Sequence, residues 1–333
     1  MLFSDSGVKE VNKKRPVHAE HEFRSIGVPI RLNFYMTTHT AAAPFFVATL
    51  GIACFAVMDA VMKGLAIELG AYNAMLWRTG CGVLIVTFLY LLKRPAWPPW
   101  ATIRLHFWRG VVISATAFLF FWGLIYVPLA EAISLTFIAP LVALYLAAVL
   151  LGERVDSKAI LASIIGLCGA VVVVAGKLSG EYDEDVGKGI GAILVSAILY
   201  AYNLILQRRQ ALIAKPVEVV FFQTIAIFVT YLLLAPLLAV PPPMTALPNL
   251  VFASILAIVS IMLVSWAYGR AEARLLIPVE YTAFVWAALL GWLIYAEEVT
   301  VLTLLGTALI VAGCLLALGQ QSGAVDHVET TAL

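Results

Sequence analysis

Ten apolar runs dominate the chain, at approximately 44 to 63, 73 to 92, 108 to 126, 131 to 151, 159 to 176, 189 to 206, 217 to 239, 249 to 268, 275 to 295 and 301 to 318. A bilayer core about 30 Å thick is crossed by about 20 residues of helix at 1.5 Å each, so each run is about long enough to span. Inside lipid only helices and closed barrels satisfy the backbone, and runs without period-2 alternation exclude a barrel. The expected fold is an all-α integral membrane protein of ten transmembrane helices. Composition agrees, because 62% of the 333 residues are hydrophobic and 12% charged, against roughly 45–50% and 25% in a soluble domain. A net charge of +1 argues against nucleic acid as a partner. Cys54, Cys81, Cys168 and Cys314 sit inside apolar runs without CxxC or Cys/His spacing, so neither disulfides nor a metal is expected. No cofactor is implied.

Residues 1–43 are polar, carry six basic residues and have no apolar h-region or cleavage site of the signal-peptide type. Two readings stay open: a disordered cytosolic segment, or, for residues 1–35, an upstream extension preceding a start at Met36. Lys and Arg fix the expected orientation. Seventeen lie in the N-terminal segment and the even-numbered loops, three on the other face (Lys63, Lys177, Lys188), and Arg78 lies within the second run. Both termini, including a short tail at 320–333, are expected in the cytoplasm, and the chain in the plasma (inner) membrane.

Cutting the chain near residue 183 reveals a repeat, 44–182 and 183–319. In each half the second connection is long and proline-bearing (KRPAWPPW, VPPPMTALP), the third is tight, and the fourth is short and acidic (GERVDSK, AEEVT). An offset of 144 residues aligns Glu153 with Glu297, Val155 with Val299, Leu161 with Leu305 and Gly169 with Gly313. Five helices per copy is odd, so the second copy enters the membrane from the opposite side. Inverted repeats frame alternating access, with substrate near the midplane where the halves meet.

The chain resembles the ten-helix EamA-type family of the drug/metabolite transporter superfamily over roughly residues 44–319. The likeness lies in FAVMDAVMKGLAIELG with WRTG, in WRG at 108–110, and in YVPLAEAISLTFIAPL from 126. LLGERV from 150, IIGLCGAVVV from 164, IPVEYTAFVWAALLGWLIYAEE from 277 and LLGTALIVAG from 304 complete it. The resemblance implies two EamA repeats and a central cavity lined by helices 1, 3, 4, 6, 8 and 9, with helices 5 and 10 peripheral. It also implies a small organic solute as substrate. Asp59 with Lys63, and the Pro278, Glu280, Tyr281 run, resemble subgroups that include S-adenosylmethionine carriers.

A charge at mid-membrane costs about 2.5–3.5 kcal/mol on insertion scales, so each needs a reason. Asp59 and Arg78 fall at matching depths, either as a structural ion pair between helices 1 and 2 or as a cavity-facing carboxylate with Arg78 or Lys63 as its resting partner. Glu280, beside Tyr281 and two turns before Trp286, is read as a helix-start carboxylate favoured by the macrodipole or as a substrate or proton contact. Glu131 and Glu218 are expected at the interface. Glu153, Glu297 and Glu298 are expected to cap helices and contact loops. Trp122, Tyr200, Tyr202, Trp266, Tyr268, Tyr281 and Trp286, with Ser114, Thr136, Asn203, Ser260 and Ser265, supply stacking faces and hydrogen-bonding groups suited to a planar or zwitterionic metabolite. Gly166, Gly169, Gly306 and Gly313 would permit close helix approach, within a monomer or a homodimer.

The leading expectation is a secondary transporter of a small organic metabolite, since no P-loop that could use ATP is present. An S-adenosylmethionine or similar uptake carrier is the narrower alternative. A passive channel lacks rings of charge or a filter motif, and a non-transporting scaffold is the remaining class. No HExxH, GxSxG or Asp-rich lipid-phosphate motif is present, so an enzyme is not expected.

Overall fold

The computed structural model describes residues 42–93, 97–139, 141–143, 145–146, 157–178, 184–270 and 279–325. The N-terminal segment to residue 41, Glu153, Pro278 and the tail beyond 325 lie outside the described residues. Among these residues there are helices and turns and no strand. The helices are α1 (Ala42–Leu69), α2 (Ala71–Lys93), α3 (Trp100–Gly123), α4 (Leu129–Thr136), α5 (Ser157–Leu178), α6 (Glu184–Ile213), α7 (Pro216–Leu232), α8 (Leu247–Tyr268), α9 (Thr282–Tyr295) and α10 (Val301–Val325). Single turns at Ala235–Leu238 and Met244–Ala246 separate α7 from α8. Five segments, Ala43–Leu69, Ala71–Lys93, Trp100–Gly123, Glu184–Gln207 and Met244–Tyr268, are long and apolar enough to cross a membrane.

Two boundaries differ from the apolar pattern in ways that matter. Helix α3 begins at Trp100, directly after Pro99, not at 108. Proline is well suited to precede a helix because its missing N–H is an orphan there. Arg104, His106 and Arg109 interrupt the apolar run without interrupting the helix, so they are helical residues and not loop charges. The first stretch of α4 covers only Leu129–Thr136 before a turn at Phe137 and Ile138. There Thr136 Oγ1 donates to the Ile133 carbonyl (2.7 Å), and the Phe137 and Ile138 N–H groups donate to the Ser134 and Leu135 carbonyls. This tighter i→i+3 pattern ends the α-helical ladder.

Packing follows the 144-residue offset. Helix α1 packs chiefly on α8, and its counterpart α6 on α3; α2 packs on α8 and α7 on α3. Single residues obey the same exchange. A Cβ on Gly82 would sit 4.0 Å from Ser254 Cβ, and one on Gly110 would collide with Ala226 Cβ. Position 82 corresponds to 226 and position 110 to 254, so the two contacts are one contact made twice, as a two-fold relation between the copies requires. Phe137 stacks edge-on against its own counterpart Tyr281, ring centroids 5.1 Å apart, as residues near such an axis must. At the periphery α5 and α10 approach so closely that a Cβ on Gly169 would lie 2.5 Å from the Gly306 carbonyl oxygen. Met62, Leu65, Met75, Leu124, Leu135 and Ile193 form part of the fully buried core. Leu84, Phe88, Leu91 and Leu305 are exposed, as a lipid-facing surface would have them.

Candidate functional site

A cavity of about 280 Å³ lies between the two copies. Its wall takes residues from α1, α3, α4, α6 and α8, from helical Glu280, the turn at Tyr281 and α9, and also from α2 and α7. The expected lining omitted those last two helices. They contribute Arg78, Thr79, Gly82, Gln223, Thr224 and Ile227. The wall is mostly apolar, with Phe55, Phe120, Phe121 and Phe137 among its rings. Among the described residues its charged groups are Asp59, Arg78, Arg109 and Glu280. The 144-residue offset relates these positions to Asn203, Phe222, Ala253 and Thr136, so every charge has a neutral counterpart. The charges break the symmetry that the backbone keeps.

Arg109 is 4% exposed and stands on α3. Its Nε donates to Asn203 Oδ1 (2.9 Å), Nη1 to Gln223 Oε1 (2.9 Å) and to Gln210, and Nη2 to Gln207 Oε1 (2.9 Å). Four amide oxygens from α6 and α7 thus hold one guanidinium, whose fork of donors suits several acceptors at once. The network continues outward. Gln210 bonds His106 Nδ1, and His106 Nε2 lies 3.1 Å from Glu218 Oε1 while its ring stacks on Phe222 at 5.2 Å. Glu218 is therefore not a solvated interfacial residue: its carboxylate ties α7 to α3, because buried His106 offers a partner there.

Asp59 and Arg78 line the same cavity from α1 and α2. No ion pair within 4.0 Å joins them among the described residues. Arg78 is 9% exposed; Nη2 lies 3.5 Å from Met75 Sδ, and Nε has no partner. Lys63, one turn beyond Asp59, pairs with Glu297 and donates to the Val127 carbonyl (2.9 Å). It is not the resting partner of Asp59. Glu297 also accepts from the Leu129 N–H (2.8 Å), capping α4, which follows Pro128. The chain is aimed there by the end of α9, where Ala296 adopts the left-handed conformation (φ 51°) and the Glu297 N–H returns to the Gly291 carbonyl, a helix stop of the Schellman kind. Gly291 leaves room for this carboxylate: a Cβ there would lie 2.6 Å from Glu297 Oε2 and push it from the Leu129 N–H.

Glu280 lies two residues before α9 and accepts from the Tyr268 hydroxyl. Tyr281, Tyr200, Asn203, Thr136 and Ser265 line the cavity with it. Trp122, Tyr202, Trp266 and Trp286 do not. Trp122 packs on Tyr126 (5.2 Å), the Tyr202 hydroxyl accepts from Trp108 Nε1 (3.1 Å), and Trp266 lies against the Arg270 guanidinium (4.3 Å). Ser114 and Ser260 also lie outside the wall, donating to carbonyls one turn back. Glu131, expected at the interface, is 1% exposed and accepts from Thr303 Oγ1 (3.2 Å); the close approach of α10 to α4 covers it.

Sequence reasoning missed Arg109, Gln207, Gln210 and Gln223. The signal was present: His106 and Arg109, and Gln207 and Gln210, recur at i,i+3, the spacing that places polar groups on one helical face.

The EamA-like transporter family matches residues 43–175 and 187–319, two stretches that begin 144 residues apart. The pseudopaline exporter CntI of Pseudomonas aeruginosa is 25% identical over 271 residues, covering 80% of this chain and 93% of that protein. A riboflavin transporter of Rhizobium johnstonii is 27% identical over 280 residues, covering 80% and 87%. A solved structure described as the crystal structure of a protein aligns with a TM-score of 0.57 at 20% identity, covering 87% of this chain and 99% of that one, and so shares the fold. These relatives give no support to an S-adenosylmethionine carrier.

Proposed function

Because the chain belongs to the EamA-like transporter family, a family of multi-pass membrane transporters, we propose that it moves a small organic solute by alternating access, without ATP. The carrying observation is the cavity between the two copies, walled by both and set with isolated charges. Asp59, Arg78, Glu280, Tyr281 and Asn203 are the residues that contact the solute in this reading. The ten-span count, repeat bounds near residue 183, cytoplasmic termini and a place in the plasma (inner) membrane belong to it too. Assigning Arg104 and Arg109 to α3 leaves the basic asymmetry intact, since the N-terminal segment and the even-numbered connections together still hold fifteen of the 21 Lys and Arg, against three on the other face. Relatives named as an exporter and as a riboflavin transporter support a metabolite-sized cargo and leave direction to experiment. The test is counterflow in proteoliposomes containing the full chain, beginning with amino acids, nucleosides and flavins. Saturable exchange against an unlabelled excess is expected. Linear, unsaturable flux would indicate a channel instead.

A further inference from the structure

The four charges of the cavity differ in how well they are satisfied. Arg109 is held by four amide oxygens, and Glu280 accepts from Tyr268. Among the described residues Asp59 has no hydrogen bond, and Arg78 has only the weak sulfur contact and an Nε without a partner. A buried guanidinium without an acceptor is strongly disfavoured, and more so in a membrane. Its persistence is explained if the missing acceptor arrives with a ligand. Asp59, in the same wall, makes no ion pair with Arg78 within 4.0 Å, so among the described residues the acid and the base face one cavity without pairing.

We propose that Arg78 is the carboxylate anchor of the transport site and that Asp59 receives the cationic group of the same solute. The substrate class is then an organic zwitterion carrying a carboxylate and an ammonium or similar cation on an apolar body, the body lying against Phe55, Phe120 and Phe137. A guanidinium fits a carboxylate by two parallel N–H donors, and a carboxylate accepts readily from an ammonium. The neutral counterparts of these positions, Phe222 and Asn203, allow the solute only one orientation across the pseudo-two-fold. The proposal rests on the transporter reading above.

The experiment exposes the purified full chain to a defined mixture of amino acids, amines without carboxylates, dicarboxylates, neutral nucleosides and riboflavin, and identifies the retained solutes by mass spectrometry. Wild type should retain a zwitterion. Arg78→Met and Asp59→Asn should each weaken retention about 10- to 100-fold, and Arg78→Lys, which keeps a cation at that depth, should recover part of it. In the absence of solute the melting temperature of Arg78→Met should equal or exceed that of wild type, since only the weak Met75 sulfur contact is lost. A fall of many degrees in that solute-free protein would mean that Arg78 is structural and would overturn the proposal. Retention of a nucleoside or amine alone would overturn it while leaving the transporter standing. Retention of nothing, with no counterflow, would overturn both.

Discussion

Arg78 and Arg109 are buried in the wall of one cavity, yet the first is nearly bare of acceptors and the second is surrounded by them. The difference tracks the helices behind each. Arg109 faces α6 and α7, which offer Asn203, Gln207, Gln210 and Gln223 at positions that converge on it. The polar groups near Arg78 are spent elsewhere: Ser254 Oγ of α8 donates to the Arg78 carbonyl (2.6 Å) and not to its side chain, and the Tyr231 hydroxyl of α7 donates to the Ser114 carbonyl (2.7 Å). A saturated guanidinium holds helices together. In the proposed site the unsaturated one takes its acceptor from the solute.

The sharpest way to break this contrast is Arg109→Met. Four amide oxygens and the His106 cluster lose their hub, each unsatisfied acceptor costing about 1–3 kcal/mol. Even with water entering the cavity, a loss of at least about 4 kcal/mol is expected, read by thermal unfolding of the purified chain. A melting temperature within a degree or so of wild type would mean that Arg109 and Arg78 are alike. Next is Glu297→Ala, which removes the carboxylate paired with buried Lys63 and uncaps Leu129. A loss of about 3 kcal/mol is expected, toward the lower end for a broken buried pair because Glu297 is partly accessible. The reversed pair, Lys63→Glu with Glu297→Lys, should regain part of that stability if the charge pairing matters and none if only the cap does.

Gln210→Leu cuts the network at its middle link. Gln210 is wholly buried between Arg109 and His106, so the substitution takes an acceptor from Arg109 Nη1 on one side and a donor from His106 Nδ1 on the other. About 1–3 kcal/mol should be lost. The loss should be non-additive with Arg109→Met, because the double variant removes the same links only once. Additivity would show that the two residues belong to separate structures.

Most of the frame was legible from hydropathy and loop chemistry, because a bilayer leaves few ways to satisfy a backbone. The repeat was legible for the same reason: loop lengths and prolines are local properties, and the 144-residue offset read from Glu153 and Glu297 is the spacing at which the two family matches begin. What stayed hidden was polar and cooperative. The stretch RLHFWRG looks like a loop to a hydropathy window, and only the proximity of α6 and α7 turns Arg109 into a buried hub. Lys63 lies one turn from Asp59 in sequence but pairs with Glu297, 234 residues away. Pairwise partners of this kind depend on which faces meet, which no single helix encodes. Tryptophans misled for the opposite reason. Trp122 and Trp266 have the size and chemistry of ligand platforms, but each spends its face on a neighbour, Tyr126 or Arg270.

The smallest expected effect is the most discriminating. Asp59→Asn is nearly isosteric, so it opens no void, and it removes a charge that has no hydrogen bond among the described residues. The stability of the solute-free protein should therefore stay within about 0.5 kcal/mol of wild type. Neutralising an unpaired carboxylate in a desolvated wall is as apt to stabilise as to destabilise. A drop as large as that of Gln210→Leu would reveal a structural partner for Asp59, with Arg78 the nearest candidate across the same wall. The two arginines would then differ only in degree, and the cavity would hold two completed networks in place of one complete network and one open pair.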